Sequence, residues 1–401
     1  MPRSFLFLQG TASPFFARLA ATLVERGHKA MRVNFCGGDR LFAGTNEVID
    51  YGGTTEDLSG WYAKQLKVHG CTDVLLFGDC RPVHQPMHPL AEQHGLTVHV
   101  FEEGYVRPDW LTLERHGVNG RSKMPRDPAW FIAKHKKDPI GTQARDTGYS
   151  LRQRALSDIR YRIANTVWSR RYPHYQNHRP RNGMIEYAGL ASRFAKQATH
   201  QSEAENEVAQ LLEKGERFFL FPLQLGSDAQ IVQHSPFKNV CEAIERVVSS
   251  FARNASCEAV LVIKNHPLDT GLIDYRRYAL EIASRLGIEG RLRYIEAGHL
   301  PTLLNHAQGV VVVNSTVGLS ALHHRCPVVT LGHAIYDFDR LTWQQGLDSF
   351  WTHGTHPDMD VYWAFLDYVI KNTQINGNFY TKMGIDMAIP AAVARLEAEH
   401  A

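Results

Sequence analysis

The stretch Ala259-Val260-Leu261-Val262-Ile263-Lys264-Asn265-His266-Pro267 decides the fold of this 401-residue chain. Five consecutive apolar residues predict a strand buried on both faces, as in a parallel sheet covered by helices. Because proline disfavours helix at the residue before it, the chain leaves this strand extended, with His266 at the carboxyl end. Polar groups at that edge of the sheet are typical of ligand sites in α/β proteins.

A second stretch repeats the pattern further along the chain. The apolar run at residues 309–313 is followed by Asn314-Ser315-Thr316-Val317-Gly318, where the next helix is expected to begin. Backbone N–H groups at a helix start, with the positive end of the helix dipole, favour an anion. With Lys264 and His266, these residues predict a clamp for the phosphate of a nucleotide.

Strand and helix patterns alternate on both sides of these two segments. Further strands are predicted at residues 5–9, 30–35, 73–77, 97–101, 218–222, 292–295 and 328–331. The alternation predicts an α/β fold with parallel sheets and right-handed crossovers, as two Rossmann-like domains facing a cleft. We expect a first domain at residues 1–202 with a basic helical insertion at about 120–200, a second at 203–345, and helices at 346–401 that cross back to the first.

The composition excludes several classes of protein. With 44% hydrophobic and 21% charged residues the chain is globular, and a net charge of +3 gives no support for nucleic acid as a partner. Six cysteines without a CxxC pair predict reduced thiols and a cytoplasmic location. Since no apolar run approaches the roughly 20 residues that a membrane-spanning helix needs, we expect membrane contact only from the surface.

One region departs from the even distribution of charge. Residues 151–182 hold eight arginines against one acid, Asp158, and several aromatic residues lie among them. The region is either a solvated helical face or a surface for anionic lipid, where each cation contributes about 1 kcal/mol.

Four more segments place polar groups at predicted strand ends. They are Gln9-Gly10-Thr11-Ala12-Ser13-Pro14, Phe35-Cys36-Gly37-Gly38-Asp39, Phe101-Glu102-Glu103-Gly104-Tyr105-Val106-Arg107-Pro108 and Leu223-Gln224-Leu225-Gly226-Ser227-Asp228. Repulsion between adjacent carboxylates raises one pKa toward the range of a general acid or base. Each segment has a structural alternative: a plain turn, a solvated turn with Arg107 as counter-ion, or, for Asp228, a helix N-cap. Two Asp-x-Asp copies, at 337–339 and 358–360, follow no clear strand, so we expect no metal site.

Taken in order, these motifs and Phe77-Gly78-Asp79-Cys80-Arg81-Pro82 resemble the capsular polysaccharide synthesis proteins of the KpsS/LipB type over most of residues 5–335. The resemblance implies a GT-B-like fold and a retaining β-Kdo transferase. Such an enzyme moves Kdo, an eight-carbon acidic ketose, from CMP-Kdo to phosphatidylglycerol and starts the poly-Kdo linker of a capsule. It implies no cofactor beyond the CMP-Kdo donor.

The resemblance also implies roles for residues. His266 would contact the CMP phosphate, Asp228 would be the nucleophile of a double displacement, and Glu103, with Glu102 as its rival, would be the acid–base on the acceptor hydroxyl. The remaining donor-binding residues are Lys264, Pro267, Asn314, Ser315, Thr316, Gln224 and Ser227, and the acceptor side comprises Gln9, Gly10, Ser13, Gly37, Gly38, Asp39, Asp79, Arg81 and Arg107.

The expected partners are the CMP-sugar, an anionic phospholipid, other capsule assembly proteins and the inner face of the inner membrane, contacted through residues 151–182. Two rival functions stay open at this point. One is an inverting transferase of the CMP-sialic-acid type with Glu102 or Glu103 as base, which the stereochemistry of the product distinguishes. The other is a non-catalytic capsule assembly or export factor, which a transfer assay distinguishes.

Overall fold

The computed structural model describes residues 2–44, 47–134, 144–176, 189, 193, 196–226 and 229–398. Ser227 and Asp228, and the end of the arginine-rich region at residues 177–182, lie outside that range. The chain forms two compact units. The first unit comprises Met1–Lys123, Pro139–His178 and Tyr368–Ala401, and the second comprises Met124–Asp138 and Arg179–Asp367. The division therefore falls at different points from residues 202 and 345, and both chain ends belong to the first unit.

The first unit is built on a seven-stranded sheet. Its strands are β1 (Ser4–Phe7), β2 (Lys29–Asn34), β3 (Glu47–Asp50), β4 (Asp73–Phe77), β5 (Thr97–Glu103), β6 (Trp110–Arg115) and β12 (Gln374–Asn376). Their order is β12-β6-β5-β4-β1-β2-β3. Strands β1 to β5 are parallel, whereas β6 runs antiparallel to β5 and β12 antiparallel to β6. The expectation of a wholly parallel sheet is thus wrong at this edge, because a short reversal near Asp109, whose φ is +72°, turns the chain straight back along β5.

Both faces of this sheet are buried, which explains the continuous apolar runs. Phe5 and Phe7 of β1 pack on one face, and Leu6 and Leu8 pack on the other, because successive side chains of a strand point to opposite sides. The helices of this unit are Phe15–Glu25, Gly37–Leu41, Leu58–His69, Met87–His94, Leu151–Val167 and Lys382–Glu397, with a 3₁₀ turn at Asn119–Arg121. Helix Lys382–Glu397 packs with Phe15–Glu25 on the face of Phe5 and Phe7.

The second unit contains a five-stranded sheet that is parallel throughout. Its strands are β7 (Phe218–Pro222), β8 (Val260–Lys264), β9 (Leu292–Ile295), β10 (Gly309–Val312) and β11 (Val328–Thr330), in the order β11-β10-β7-β8-β9. Its helices are Pro128–Lys134, Gln197–Glu213, Ala229–His234, Val240–Asn254, Tyr275–Arg285, Leu300–His306, Val317–His323, Leu347–His353 and Met359–Thr373, with a 3₁₀ turn at Glu289–Arg291. The division between the two units falls within the last of these helices, between Asp367 and Tyr368.

The two sheets share one strand order, which confirms the α/β class and the two Rossmann-like units. In each sheet the first strand in sequence, β1 or β7, lies beside the fourth of its parallel set, β4 or β10, and the order reverses between them. Ligands of open α/β sheets bind outside the carboxyl ends of the strands at such a reversal. Among the described residues, no helix combines the length and apolar character needed to cross a membrane.

Candidate functional site

In the second unit, a pair of side-chain amides joins the strand ends at the reversal point. Gln224, two residues after β7, donates from Nε2 to Asn314 Oδ1 at 2.9 Å and accepts the Asn314 backbone N–H at 3.2 Å. Asn314 also donates from Nδ2 to the His234 carbonyl at 3.3 Å. These two predicted donor-binding residues therefore hold each other, and they fix the geometry of the edge at which Lys264 and Ser315 lie.

Lys264, the last residue of β8, carries a buried ammonium group. Lys264 is only 7% exposed, and its Nζ donates to the Asn265 carbonyl oxygen at 3.5 Å. No carboxylate among the described residues forms an ion pair with it, and burial lowers its pKa. A buried charge is costly unless an opposite charge compensates it. Lys264 is therefore suited to bind an anion at the carboxyl edge of the sheet.

His266 is held by its own turn. Its Nδ1 accepts the Leu268 backbone N–H at 3.1 Å, so a neutral ring carries its proton on Nε2. The His266 backbone N–H donates to Asn265 Oδ1 at 2.8 Å, and this bond fixes the start of the turn. The arrangement makes His266 a hydrogen-bond donor through Nε2, as contact with a phosphate oxygen requires.

Two charged residues that the sequence did not single out stabilise this turn. Asn265 donates from Nδ2 to Glu296 Oε2 at 2.8 Å, and Arg193 pairs with the same oxygen at 2.8 Å. Arg193 also lies 3.4 Å from Asp269, which accepts the backbone N–H of Gly271. Glu296 directly follows β9, so its position at a strand end was a usable signal, whereas no local pattern marks Arg193.

The segment after β10 differs in one respect from the expected phosphate loop. Ser315 Oγ accepts the Val317 backbone N–H at 3.2 Å, and Tyr336 donates its hydroxyl to the Ser315 carbonyl. The Val317 backbone N–H, at the helix start where a phosphate was expected, is therefore already hydrogen-bonded within the chain. Gly318 is needed for packing, since a Cβ there would overlap the Tyr336 hydroxyl.

In the first unit, Gln9 joins the strand ends at the reversal point. Arg81, beyond β4, donates from Nη1 to Gln9 Oε1 at 3.1 Å and to the Gly10 carbonyl at 2.9 Å. Gln9 Nε2 in turn donates to Asp39 Oδ2 at 3.1 Å and lies 3.1 Å from the hydroxyl of Tyr161. The structure therefore brings Gln9, Asp39 and Arg81 together, as the sequence predicted for the strand ends.

The glycines after β2 have a packing role. A Cβ at Gly37 would overlap the Ala164 carbonyl, and one at Gly38 would overlap the Tyr161 ring, both on helix Leu151–Val167. Helix Leu151–Val167 therefore covers both glycines. Tyr161 donates to Asp39 Oδ1 at 2.8 Å, a contact hidden from the sequence since Tyr161 lies in the region interpreted as a lipid surface.

The adjacent carboxylates Glu102 and Glu103 have different environments. Burial, with the nearby charge of Glu103, raises the pKa of Glu102 to about 7. Glu103 instead accepts the Tyr380 hydroxyl at 3.0 Å and pairs with Arg154 at 3.1 Å. A general acid–base works best with a pKa near the operating pH, so the structure favours Glu102 over Glu103 for that role.

Four other acceptor-side residues make contacts within the first unit. Arg107 is exposed and donates to the Gly104 carbonyl at 3.2 Å, so the counter-ion of Glu103 is Arg154 and not Arg107. Ser13 and Gly10 contact residues of their own turn, whereas Asp79 joins its turn to a segment 39 residues away. Asp79 accepts the Val118 backbone N–H, Ser13 accepts that of Phe15, and Gly10 faces the Phe16 ring.

The two Asp-x-Asp copies also hold their own segments. Asp337 accepts the Thr342 hydroxyl at 2.8 Å and the Gln344 amide at 3.2 Å. Asp358 pairs with Arg340 at 2.6 Å and accepts the Asp360 backbone N–H at 2.9 Å.

Two sheets of Rossmann strand order, each with polar side chains gathered at the reversal point, define an α/β protein of the doubly wound, ligand-binding type. Within that class, the chain belongs to the family of capsule polysaccharide biosynthesis proteins, whose family model matches residues 72–380. This confirms the resemblance that the motifs indicated.

Curated relatives match over nearly the whole chain. The capsule polysaccharide export protein KpsS of Escherichia coli is 32% identical, over 94% of this chain and 97% of that protein. The capsule polysaccharide modification protein LipB of Neisseria meningitidis serogroup B is 34% identical, over 95% of this chain and 92% of that protein. A solved structure of the β-Kdo 2,7 transferase of Thermosulfurimonas dismutans KpsC is 14% identical, with a TM-score of 0.46, and covers 98% of this chain and 100% of that one.

Proposed function

We propose that this protein is a glycosyltransferase that moves Kdo from CMP-Kdo to phosphatidylglycerol with retention of configuration. The observation that carries the proposal is the buried ammonium of Lys264 beside His266, whose Nδ1 is occupied as an acceptor so that Nε2 is the donor, at the carboxyl edge of the second sheet. This pair suits the phosphate of a nucleotide. Kdo and the lipid acceptor are taken from the resemblance of the motifs, and membership of a capsule polysaccharide family supports them.

Each side chain has a separate role in the proposed reaction. Lys264 and His266 stabilise the phosphate charge as CMP leaves, and Asp228 forms a covalent bond to the anomeric carbon of Kdo. The acceptor oxygen then displaces Asp228 while Glu102 takes the proton of the acceptor hydroxyl, and two inversions give net retention. CMP departs as a phosphomonoester anion, and the proton on Glu102 is later released to solvent.

Glu103 then has a positioning role. Its ion pair with Arg154 and the hydrogen bond from Tyr380 keep it as a fixed carboxylate. Burial is the main cause that raises the pKa of Glu102 to about 7, and the negative charge of Glu103 next to it adds to this effect.

The test is direct transfer. The purified protein is incubated with freshly generated CMP-Kdo and phosphatidylglycerol, and mass spectrometry follows the addition of one Kdo, while NMR gives the anomeric configuration of the product. We expect one Kdo in the same configuration as the donor, loss of transfer in Asp228→Asn, and wild-type transfer in the control Asp339→Asn, an exposed residue of the same unit.

Three results contradict parts of this proposal. Inverted product assigns the reaction to the rival inverting mechanism and removes the nucleophile. Near-wild-type turnover in Asp228→Asn removes Asp228 from the mechanism. No product beside an active control transferase favours a non-catalytic assembly or export factor, the role that the name of the KpsS relative describes for that protein.

A further inference from the structure

Helix Leu151–Val167 has two chemically different faces. The inner face buries Tyr161 and Ala164 and carries Arg154, which pairs with Glu103. The outer face exposes four large apolar side chains that recur every three or four residues and so form one stripe. They are Leu156 (56% exposed), Ile159 (37%), Ile163 (58%) and Val167 (67%).

The charges around the stripe are all positive. Arg152 and Arg160 precede and follow Leu156 by four residues, so both lie on the outer face, and Arg170 is exposed just beyond the end of the helix. The one acidic residue between positions 151 and 176 is Asp158, which pairs with Arg162 at 2.9 Å. Within the described part of the chain no carboxylate forms an ion pair with Arg152, Arg160 or Arg170, so the outer face combines apolar side chains with cations.

Three other arginines in the described part of this region are engaged within the first unit. Arg154 pairs with Glu103, Arg162 with Asp158, and Arg171 donates from Nε to Asp50 at 2.6 Å. Only part of the arginine-rich segment is therefore available to a partner. The available part coincides with the apolar stripe.

The positive charge of the outer face indicates what kind of partner binds there. If a second copy of the chain covered it symmetrically, the arginines of the two copies would come together without an acidic partner, and like charges repel. An anionic lipid surface satisfies both components, because the apolar side chains enter the boundary between headgroups and acyl chains while the arginines meet phosphates.

We propose that the outer face of helix Leu151–Val167, formed by Arg152, Leu156, Ile159, Arg160, Ile163 and Val167, docks the protein on an anionic membrane. The inference deepens the proposed function and rests on it for its purpose, which is access to a lipid acceptor. The same helix contacts Glu103 through Arg154 on its inner side. Docking would therefore bring the lipid surface to the unit that carries Glu102.

The experiment measures co-sedimentation of the full-length protein, without any sugar donor, with vesicles of phosphatidylcholine alone or with added phosphatidylglycerol. We expect binding only to vesicles that contain phosphatidylglycerol, and weaker binding at high salt. The double variant Arg152→Gln/Arg160→Gln should bind at least tenfold more weakly, since each cation strengthens partitioning about fivefold. The double variant Leu156→Asp/Ile163→Asp should lose binding.

Helix Leu58–His69 of the same unit supplies matched controls. Val68 is 65% exposed and Lys64 and Lys67 are exposed. Lys64→Gln/Lys67→Gln removes two positive charges, as the arginine double variant does, and Val68→Asp replaces one exposed apolar side chain by an acid, both on a different helix from the proposed face. Both should bind vesicles like the wild type. Circular dichroism and thermal unfolding verify that each variant is folded.

Several results would overturn the docking proposal. These are equal binding to neutral vesicles, equal loss in the control variants, wild-type binding in both outer-face variants, or an outer-face variant that changes the oligomeric state by light scattering instead of vesicle binding. Failure here is separate from failure of the proposed function, because vesicle binding needs no donor and transfer can be measured with detergent-dispersed phosphatidylglycerol.

Discussion

Replacing Glu102 by glutamine removes a carboxylate whose ionisation opposes folding. Burial raises the pKa of Glu102 from its ordinary 4.5 to about 7. Since the folded state holds the proton more tightly than the unfolded state, the stability that this group contributes is fully present below about pH 4.5 and is lost as the pH rises to about 7. A difference of about 2.5 in pKa corresponds to about 3 kcal/mol in the free energy of unfolding.

The Glu102→Gln variant escapes this loss, so its advantage over the wild type depends on pH. Linkage gives an advantage of about 1 kcal/mol at pH 5 and about 3 kcal/mol at pH 8. The glutamine amide adds a desolvation penalty that is the same at both pH values, so the increase of about 2 kcal/mol between them is the diagnostic quantity. Glu114, whose pKa burial also raises to about 7, affects both proteins equally and cancels.

The assay is urea unfolding of both proteins at pH 5 and pH 8, followed by tryptophan fluorescence. Glu25→Gln, at an exposed helix end, is the control and should change the free energy of unfolding by less than about 0.5 kcal/mol at either pH. An equal stability difference between Glu102→Gln and the wild type at the two pH values would refute the reasoning. In the transfer assay, the rate should rise with pH to a plateau above about 7, and Glu102→Gln should lose this rise together with most of the activity.

Three further predictions concern both units. His266→Asn keeps a short hydrogen-bond acceptor but lacks the donor at Nε2, so it should weaken CMP binding by about tenfold or more in calorimetry, whereas His266→Gln should retain part of the binding. Unchanged KM and kcat in both variants would exclude a contact between His266 and the phosphate. Lys264→Met should weaken CMP binding at least as much while leaving thermal stability unchanged or higher, and a strong loss of stability would show that the ammonium has a structural partner. Gly38→Ala should lower the free energy of unfolding by about 1 to 3 kcal/mol, because the new Cβ would overlap Tyr161. Gly60→Ala, at a helical position with open space around it, should leave the free energy of unfolding unchanged or raise it by up to about 1 kcal/mol. Equal effects of the two substitutions in denaturant unfolding would contradict this.

The sequence predicted every parallel strand except β3 (Glu47–Asp50), because the signal of a buried parallel strand is local. The apolar run before Lys264 is buried on both faces, and the strand ends where Lys264 precedes His266 and Pro267. The antiparallel strands β6 and β12 were missed. Both are short, and β12 joins the sheet through a pairing with β6 across more than 250 residues, which no local pattern announces.

For the candidate site, too, the sequence indicated some features and left others undetected. Residue type and position at strand ends were sufficient to select Gln9, Gln224, Lys264 and His266, because parallel strands bring their carboxyl ends to one edge. The partners of these residues were not evident. Tyr161 reaches Gln9 from a helix about 150 residues away, so the contact exists only after helix Leu151–Val167 packs over the glycines that follow β2.

The sequence by itself determined which residues end strands, which runs are buried and which family of proteins the motifs resemble, since each of these depends on neighbours along the chain. The tertiary structure alone decided which carboxylate titrates near neutrality. Glu102 and Glu103 are adjacent and chemically identical, yet burial raises the pKa of one while Arg154 and Tyr380 bind the other. The cause is physical: a pKa depends on solvent exposure and on charges brought close by packing, and neither is a property of the local sequence.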